Sequence, residues 1–250
     1  MTVKHMQRID KFLSDAGIAS RSEIKKILRS GSVSVNGKKI SDPSQKIDET
    51  IDIVEYNGQT VERLRRVVLL LNKPDGYVTS TDDPRDRTVM ELIPQKYQTW
   101  HVAPVGRLDK QTEGLLLFTN DGTLAHRLIS PKYEIEKEYF ARHEGFASQD
   151  DIAAFRNALT LKDGTICRPA QLIPINPGES RIIVTEGKYH QVRRMMASRD
   201  LPVTYLRRER EGALTLDGVA VGEFRELSDD EIRALMDSVQ FEQTNDLTKN

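Results

Sequence analysis

The chain holds a single cysteine, Cys167, in 250 residues. No intrachain disulfide can form, and a lone cysteine without a surrounding motif reads as a small buried hydrophobe. Long apolar runs are also missing. The longest, Val67–Leu71 and Leu115–Phe118, have the length of strands and fall far short of a membrane span. The N-terminus lacks the apolar core of a signal peptide. No membrane association is expected, and the cytoplasm is the default location. His101, His126 and His190 are scattered and no cysteine cluster joins them, so no metal site is expected. No glycine loop leads into Lys-Ser or Lys-Thr, so no nucleotide cofactor is implied. Net charge is nearly absent at −1, and total charge therefore does not announce a partner. Hydrophobic residues at 38% against charged residues at 30% give a globular balance with a thin apolar supply.

The distribution of charge says more than its sum. Residues 1–40 carry nine Lys or Arg against Asp10, Asp15 and Glu23, a net of about +6, while the chain from Ser228 onward is acidic. Residues 1–55 read as one small module. Ser20 followed by Glu23 fits a capping box and Gly31 fits the stop of the same helix. Between them Arg21, Lys25 and Arg29 recur every four residues and share a face, with Ile24, Ile27 and Leu28 on the neighbouring one. Val33-Ser34-Val35, the turn pair Asn36-Gly37 and Lys38-Lys39-Ile40 then predict a hairpin. A basic helix running into a basic hairpin points to RNA phosphates. Residues 56–66 are polar and weakly patterned, and are expected to be a linker.

From Val67 strands and helices mix. The pattern predicts strands at 67–72, 114–119, 135–142, 181–185 and 203–210, and helices at 123–129, 150–159, 190–199 and 229–239. An α+β domain on a mostly antiparallel mixed sheet with flanking helices is expected over 67–239, followed by a disordered tail at 240–250. Arg193, Arg194, Arg199, Arg207, Arg208 and Arg210 form a second basic stretch, read as an RNA-contact surface lining a cleft.

The densest signal is the segment Gly106-Arg107-Leu108-Asp109-Lys110-Gln111-Thr112-Glu113-Gly114-Leu115. It places a carboxylate on a short polar loop beside an arginine and ahead of a buried strand, a rigid platform for a reactive group. An Asp in a loop is by itself most often a turn former. The segment, however, resembles the central motif of the pseudouridine synthases, carried here by Arg107, Leu108, Asp109, Thr112, Gly114 and Leu115. Its surroundings are similar to the small-subunit 16S rRNA pseudouridine synthases of the RsuA type. The matching stretches are Leu71-Asn72-Lys73-Pro74-Asp75-Gly76-Tyr77-Val78, Ser80-Thr81-Asp82-Asp83-Pro84, Glu136-Lys137-Glu138-Tyr139, Gly187-Lys188-Tyr189-His190-Gln191-Val192-Arg193-Arg194-Met195, and Leu206, Arg208, Gly212 and Leu214. The N-terminal module resembles the S-four RNA-binding domain through Arg8, Asp10, Leu13, Ser20, Arg21, Gly31, Val33, Val35, Asn36 and Gly37.

The resemblance implies a pseudouridine synthase fold and a redox-neutral isomerisation of one uridine, with no cofactor. Asp109 is the implied nucleophile. Arg193 is the implied cation paired with its carboxylate. Tyr139 is implied to stack on the target base and to assist removal of the proton from its carbon 5. Arg107 is implied to fill the gap left by the flipped nucleotide. Arg21, Lys25, Arg29, Lys38, Lys39, Arg194 and Arg208 complete the expected RNA-binding set. Ribosomal RNA or a ribosomal-subunit assembly intermediate is the expected partner of a monomeric protein. Small-subunit 16S rRNA is the favoured target. The alternatives are a 23S rRNA uridine and a non-catalytic RNA-binding ribosome-assembly factor.

Overall fold

The structure, a computed structural model, describes residues 6–48, 51–61 and 66–240, the side chain of Arg21 excepted. The chain divides into two compact units, with the change at Arg66/Val67.

In the N-terminal unit, β1 (Met6–Arg8) and α1 (Ile9–Asp15) precede α2 (Arg21–Arg29), β2 (Val33–Val35), β3 (Lys38–Lys39), β4 (Lys46–Asp48), β5 (Val54–Tyr56) and β6 (Gln59–Thr60). The start of α2 is the expected capping box. Ser20 Oγ accepts from the Glu23 amide at 3.4 Å, and Glu23 accepts from the Ser20 amide at 3.0 Å. Asn36 and Gly37 both adopt positive φ, 50° and 77°, the geometry of a two-residue hairpin turn. Ile9, Leu13, Ile24, Leu28, Val33 and Val54 close a small core.

One expectation is corrected here. The start of the presumed linker is folded: Val54–Tyr56 pairs with β2, and turns through Asn57 and Gly58 (φ 51° and 77°) into Gln59–Thr60. Asn57-Gly58 is the same turn signal as Asn36-Gly37, obscured by the polar residues around it. The rest of that segment, 62–65, and the tail from 241 lie outside the described residues.

The second unit contains β7 (Val68–Lys73), α3 (Gln95–Thr99), β8 (Ala103–Val105), β9 (Thr112–Thr119), α4 (Gly122–Ile129), β10 (Lys137–His143), α5 (Gln149–Arg156), β11 (Gln171–Asn176), β12 (Glu179–Val184), α6 (Gln191–Ala197), β13 (Val203–Glu211), β14 (Leu214–Thr215), β15 (Phe224–Glu226) and α7 (Asp229–Ser238). Among the described residues these strands form one mixed sheet, ordered β11-β12-β10-β13-β9-β7-β15, with β14 on β13 and β8 on β9. Its pairings are antiparallel except for β13 against β9. Leu70, Leu115 and Leu117 pack against Leu124 and Leu128 of α4 and against Leu235 and Met236 of α7. The alternate residues Leu69, Leu71, Leu116 and Phe118 are fully buried as well. Both faces of the central strands are thus covered, which explains why their sequence is continuously apolar rather than alternating. Among the described residues, no helix is long and apolar enough to cross a membrane, and no group of three His, Cys, Asp or Glu could hold a metal ion.

Candidate active site

The loop between β8 and β9 carries Asp109, and its backbone is fixed from several sides. The Thr79 hydroxyl donates to the Leu108 carbonyl at 2.7 Å and accepts from the Leu108 amide at 3.1 Å. The fully buried Lys73 ammonium donates to the carbonyls of Pro74, Lys110 and Thr112 at 3.0, 3.1 and 2.9 Å. Burial pushes this lysine down to about 8, against the opposing pull of Asp75, Glu113 and Asp109. The Gly76 amide also donates to the Lys110 carbonyl, at 3.0 Å. Arg193 donates to the carbonyl of Gln111 at 3.1 Å and to that of Val203 at 3.2 Å. Three successive carbonyls after Asp109 therefore accept from cations, while its own side chain stays 32% exposed.

The floor of the site is set by strand register. β10 and β13 run antiparallel with Tyr139 opposite Arg208 and Lys137 opposite Glu211. Side chains directly opposite in such a pair are close neighbours. Lys137 Nζ lies 3.8 Å from Glu211, and Arg208 Nη2 lies 3.2 Å from the same carboxylate. Burial raises the Tyr139 hydroxyl above its usual range, against the pull of the adjacent Arg208 guanidinium. Arg208 also donates to the Leu115 carbonyl at 2.7 Å. On its other side β13 meets β9 in parallel, with Arg208 opposite Gly114. The two backbones come so close that a Cβ at Gly114 would lie 2.1 Å from the Arg208 carbonyl oxygen.

A wall comes from the turn before α6. The buried Glu186 carboxylate accepts from the Arg168 amide, the Gln191 amide group and Lys188 Nζ, each at 2.9 Å. Burial disfavours its charge, but these donors win and hold it below the usual carboxylate range. His190, at φ 48°, reaches Asp109 with Nε2 3.4 Å from Oδ1. The cleft enclosed by these elements measures about 600 Å³, enough for a nucleoside-sized ligand.

Of the three residues expected from the sequence to act together, Asp109 and Tyr139 line this cleft and Arg193 does not; Arg107, expected to fill the gap left by the flipped nucleotide, lines it too. Arg107 is exposed and makes no ion pair or hydrogen bond among the described residues. Three expectations are corrected. Arg193 does not pair with the Asp109 carboxylate, because its guanidinium is spent on backbone carbonyls of the loop and of β13. Arg208 is not an RNA-facing residue. It is 2% exposed, since the period-two alternation of β13 puts it on the face of buried Leu206. Arg194 is not an unpaired cation: it meets Asp163 at 2.5 Å and donates to the Tyr189 carbonyl at 3.2 Å. Most of the remaining basic stretch is likewise engaged internally: Arg199 with Asp151, and Arg210 with Glu136 and Glu138. In the N-terminal unit, Lys25, Arg29, Lys38 and Lys39 are exposed and their side chains have no partner among the described residues. The side chain of Arg21 lies outside them.

Sequence reasoning assigned no role to Lys73, Thr79, Glu186, His190 or Glu211. All but Thr79, Glu186 and Glu211 fall inside the motif stretches quoted above, yet nothing in their spacing reveals that the sheet gathers them around Asp109.

Residues 67–198 match the family model described as RNA pseudouridylate synthase. The chain belongs to the RNA pseudouridine synthase family. This synthase is therefore an isomerase, and its residues 7–50 match the S4 domain model. It is 37% identical to an uncharacterized RNA pseudouridine synthase of Bacillus subtilis, over 91% of this chain and 98% of that one. It is 36% identical to ribosomal large subunit pseudouridine synthase B of Bacillus subtilis, over 92% and 96% of the two chains. It is 35% identical to ribosomal small subunit pseudouridine synthase A of Escherichia coli, over 92% and 100%. A crystal structure of a pseudouridylate synthase superposes with a TM-score of 0.66 at 31% identity, covering 91% of this synthase and 99% of that chain.

Proposed function

We propose that this synthase converts one uridine of ribosomal RNA to pseudouridine, with Asp109 as the nucleophile. The observation that carries the reading is the placement of the Asp109 carboxylate, partly exposed on a backbone held by Lys73, Thr79 and Arg193, in one cleft with Tyr139. A nucleophile fixed this firmly loses little freedom on reaching the transition state. The carboxylate attacks the ribose or the uracil ring and the bond between N1 and C1′ breaks. The base turns, a bond forms between C5 and C1′, the bond between the carboxylate and the substrate breaks to return Asp109 as a free carboxylate, and the proton leaves C5 while N1 gains one. Atoms and electrons balance without a cofactor. Tyr139 supports the base and assists departure of the C5 proton. Arg208, buried against it, is a positioning residue for the phenol, and Arg193 is one for the loop.

The ribosomal substrate rests on the relatives' names and on the S4 domain, whose unpartnered Lys25, Arg29, Lys38 and Lys39 suit RNA phosphates. Thr81-Asp82-Asp83-Pro84 and Glu136-Lys137-Glu138-Tyr139 favour the small subunit. The large-subunit relative is as similar as the small-subunit one, so the test covers both. Pseudouridines are mapped in 16S and 23S rRNA from cells with and without the protein, and the missing position is restored by the wild type. Asp109→Asn is nearly isosteric but cannot act as a carboxylate nucleophile, and should restore nothing. Residual turnover above about 1% of wild type would sink the assignment of Asp109.

A further inference from the structure

Tyr189, at 75% exposure, is the most exposed large hydrophobic side chain among the described residues, and it stands at the cleft. An isolated exposed tyrosine is ordinary. This one is mounted. Its ring stacks on the His190 imidazole with centroids 3.9 Å apart and planes 15° apart. His190 is itself anchored on Asp109, and the turn beneath is locked by Glu186 and by the Lys188 amide donating to Gln191 at 2.8 Å. The Tyr189 hydroxyl has no hydrogen-bond partner among the described residues. One face of the ring is thus taken by an imidazole within reach of the nucleophile, and the exposure lies on the remainder. The unpaired cation Arg107 lines the same cleft.

We propose that Tyr189 is the stacking platform for the nucleobase adjacent to the target uridine, an inference that rests on the function proposed above. Turning a uridine into the cleft strips its neighbour of a stacking partner. An aromatic face held parallel to an imidazole at the rim replaces that partner, whatever the identity of the base, because every base presents a π-face. The imidazole behind the ring couples this stack to Asp109. The base is captured only where the nucleophile already stands. Purines, with the larger face, are the preferred neighbours.

The test uses the full-length protein and an rRNA fragment spanning the uridine located by the mapping experiment, with 2-aminopurine placed on either side of it. Wild-type protein should quench one of the two probes on binding. Tyr189→Ala should lose that quench and slow single-turnover conversion at saturating enzyme by roughly 5- to 100-fold, the size of one base–aromatic stack. Tyr189→Phe should retain both, since the hydroxyl is unpartnered. The side chain is exposed, so the melting temperature of Tyr189→Ala should stay at the wild-type value. Unchanged quench and rate in Tyr189→Ala overturn the platform. Slower conversion with an intact quench overturns it too, and assigns Tyr189 a role through His190 instead. Failure of the wild type to form pseudouridine in any rRNA overturns the parent reading and this one with it. Normal wild-type conversion with no quench overturns this one alone.

Discussion

Replacing Gly114 by alanine tests whether the approach of β13 to β9 builds the active site. The added Cβ would lie 2.1 Å from the Arg208 carbonyl oxygen, 2.8 Å from its nitrogen and 2.9 Å from its carbonyl carbon. Carbon–oxygen contacts settle at about 3.3 Å or more, so the strands must part by roughly 1.2 Å. The backbone at φ 101° adds strain for any L side chain, about 1–3 kcal/mol, and forced overpacking typically costs about 1–3 kcal/mol more. A loss of about 2–6 kcal/mol corresponds to a fall in melting temperature of roughly 5–20 °C for a unit of this size. The parting also stretches the bond from Arg208 to the Leu115 carbonyl and carries β13, with Tyr139 opposite it on β10, away from the Asp109 loop. A misplacement near 1 Å costs on the order of 100-fold in rate. Thermal melting and single-turnover conversion measure the two effects. Gly122→Ala is the control: its Cβ meets nothing within 4 Å, and the substitution should leave both quantities unchanged. A Gly114→Ala protein that melts and reacts like the wild type would refute the argument that this contact sets the site.

Two more outcomes follow from the corrected roles of the basic residues. Arg208→Met leaves the buried Glu211 carboxylate with Lys137 alone, 3.8 Å away, and should cost about 1–3 kcal/mol in thermal or denaturant unfolding, while leaving the salt dependence of RNA binding unchanged; a shallower salt slope with normal stability would return Arg208 to the RNA surface. Replacing Lys25, Arg29 and Lys38 together by alanine should weaken RNA binding and lower the log–log salt slope by about two, with single-turnover rate at saturation unaffected; an unchanged slope in filter-binding titrations would make that face a merely solvated one.

The sequence was most informative where one local rule governs. The capping box at Ser20, the Asn36-Gly37 hairpin and the continuous apolar strands β7 and β9 all formed as their residues indicate. Illegible elements depend on neighbours. β8 has only three residues, and β11 contains Pro174 and exposes four of its last residues in a row, so neither offers a clean alternation. Arg208 was misread because a basic stretch suggests a surface, although its spacing of two from Leu206 already placed both on one strand face. Arg193 lies close enough to buttress the Asp109 loop, but which of its acceptors wins depends on carbonyls delivered by two other elements. Motif position locates the region of the site; hydrogen-bond partners emerge only from sheet register.

The parallel pairing of β9 with β13 has a consequence for the birth of the protein. Parallel neighbours cannot be joined by a hairpin, and the bond from Arg208 to Leu115 spans 93 positions of chain. At a synthesis rate of about 5–20 residues per second, Asp109 leaves the ribosome several seconds before the strand that completes its cleft. During that interval the Asp109 carboxylate stands beside abundant RNA without Arg208 and without the close contact at Gly114. The fold acts as its own timer, withholding a competent centre until translation of the catalytic unit is nearly done.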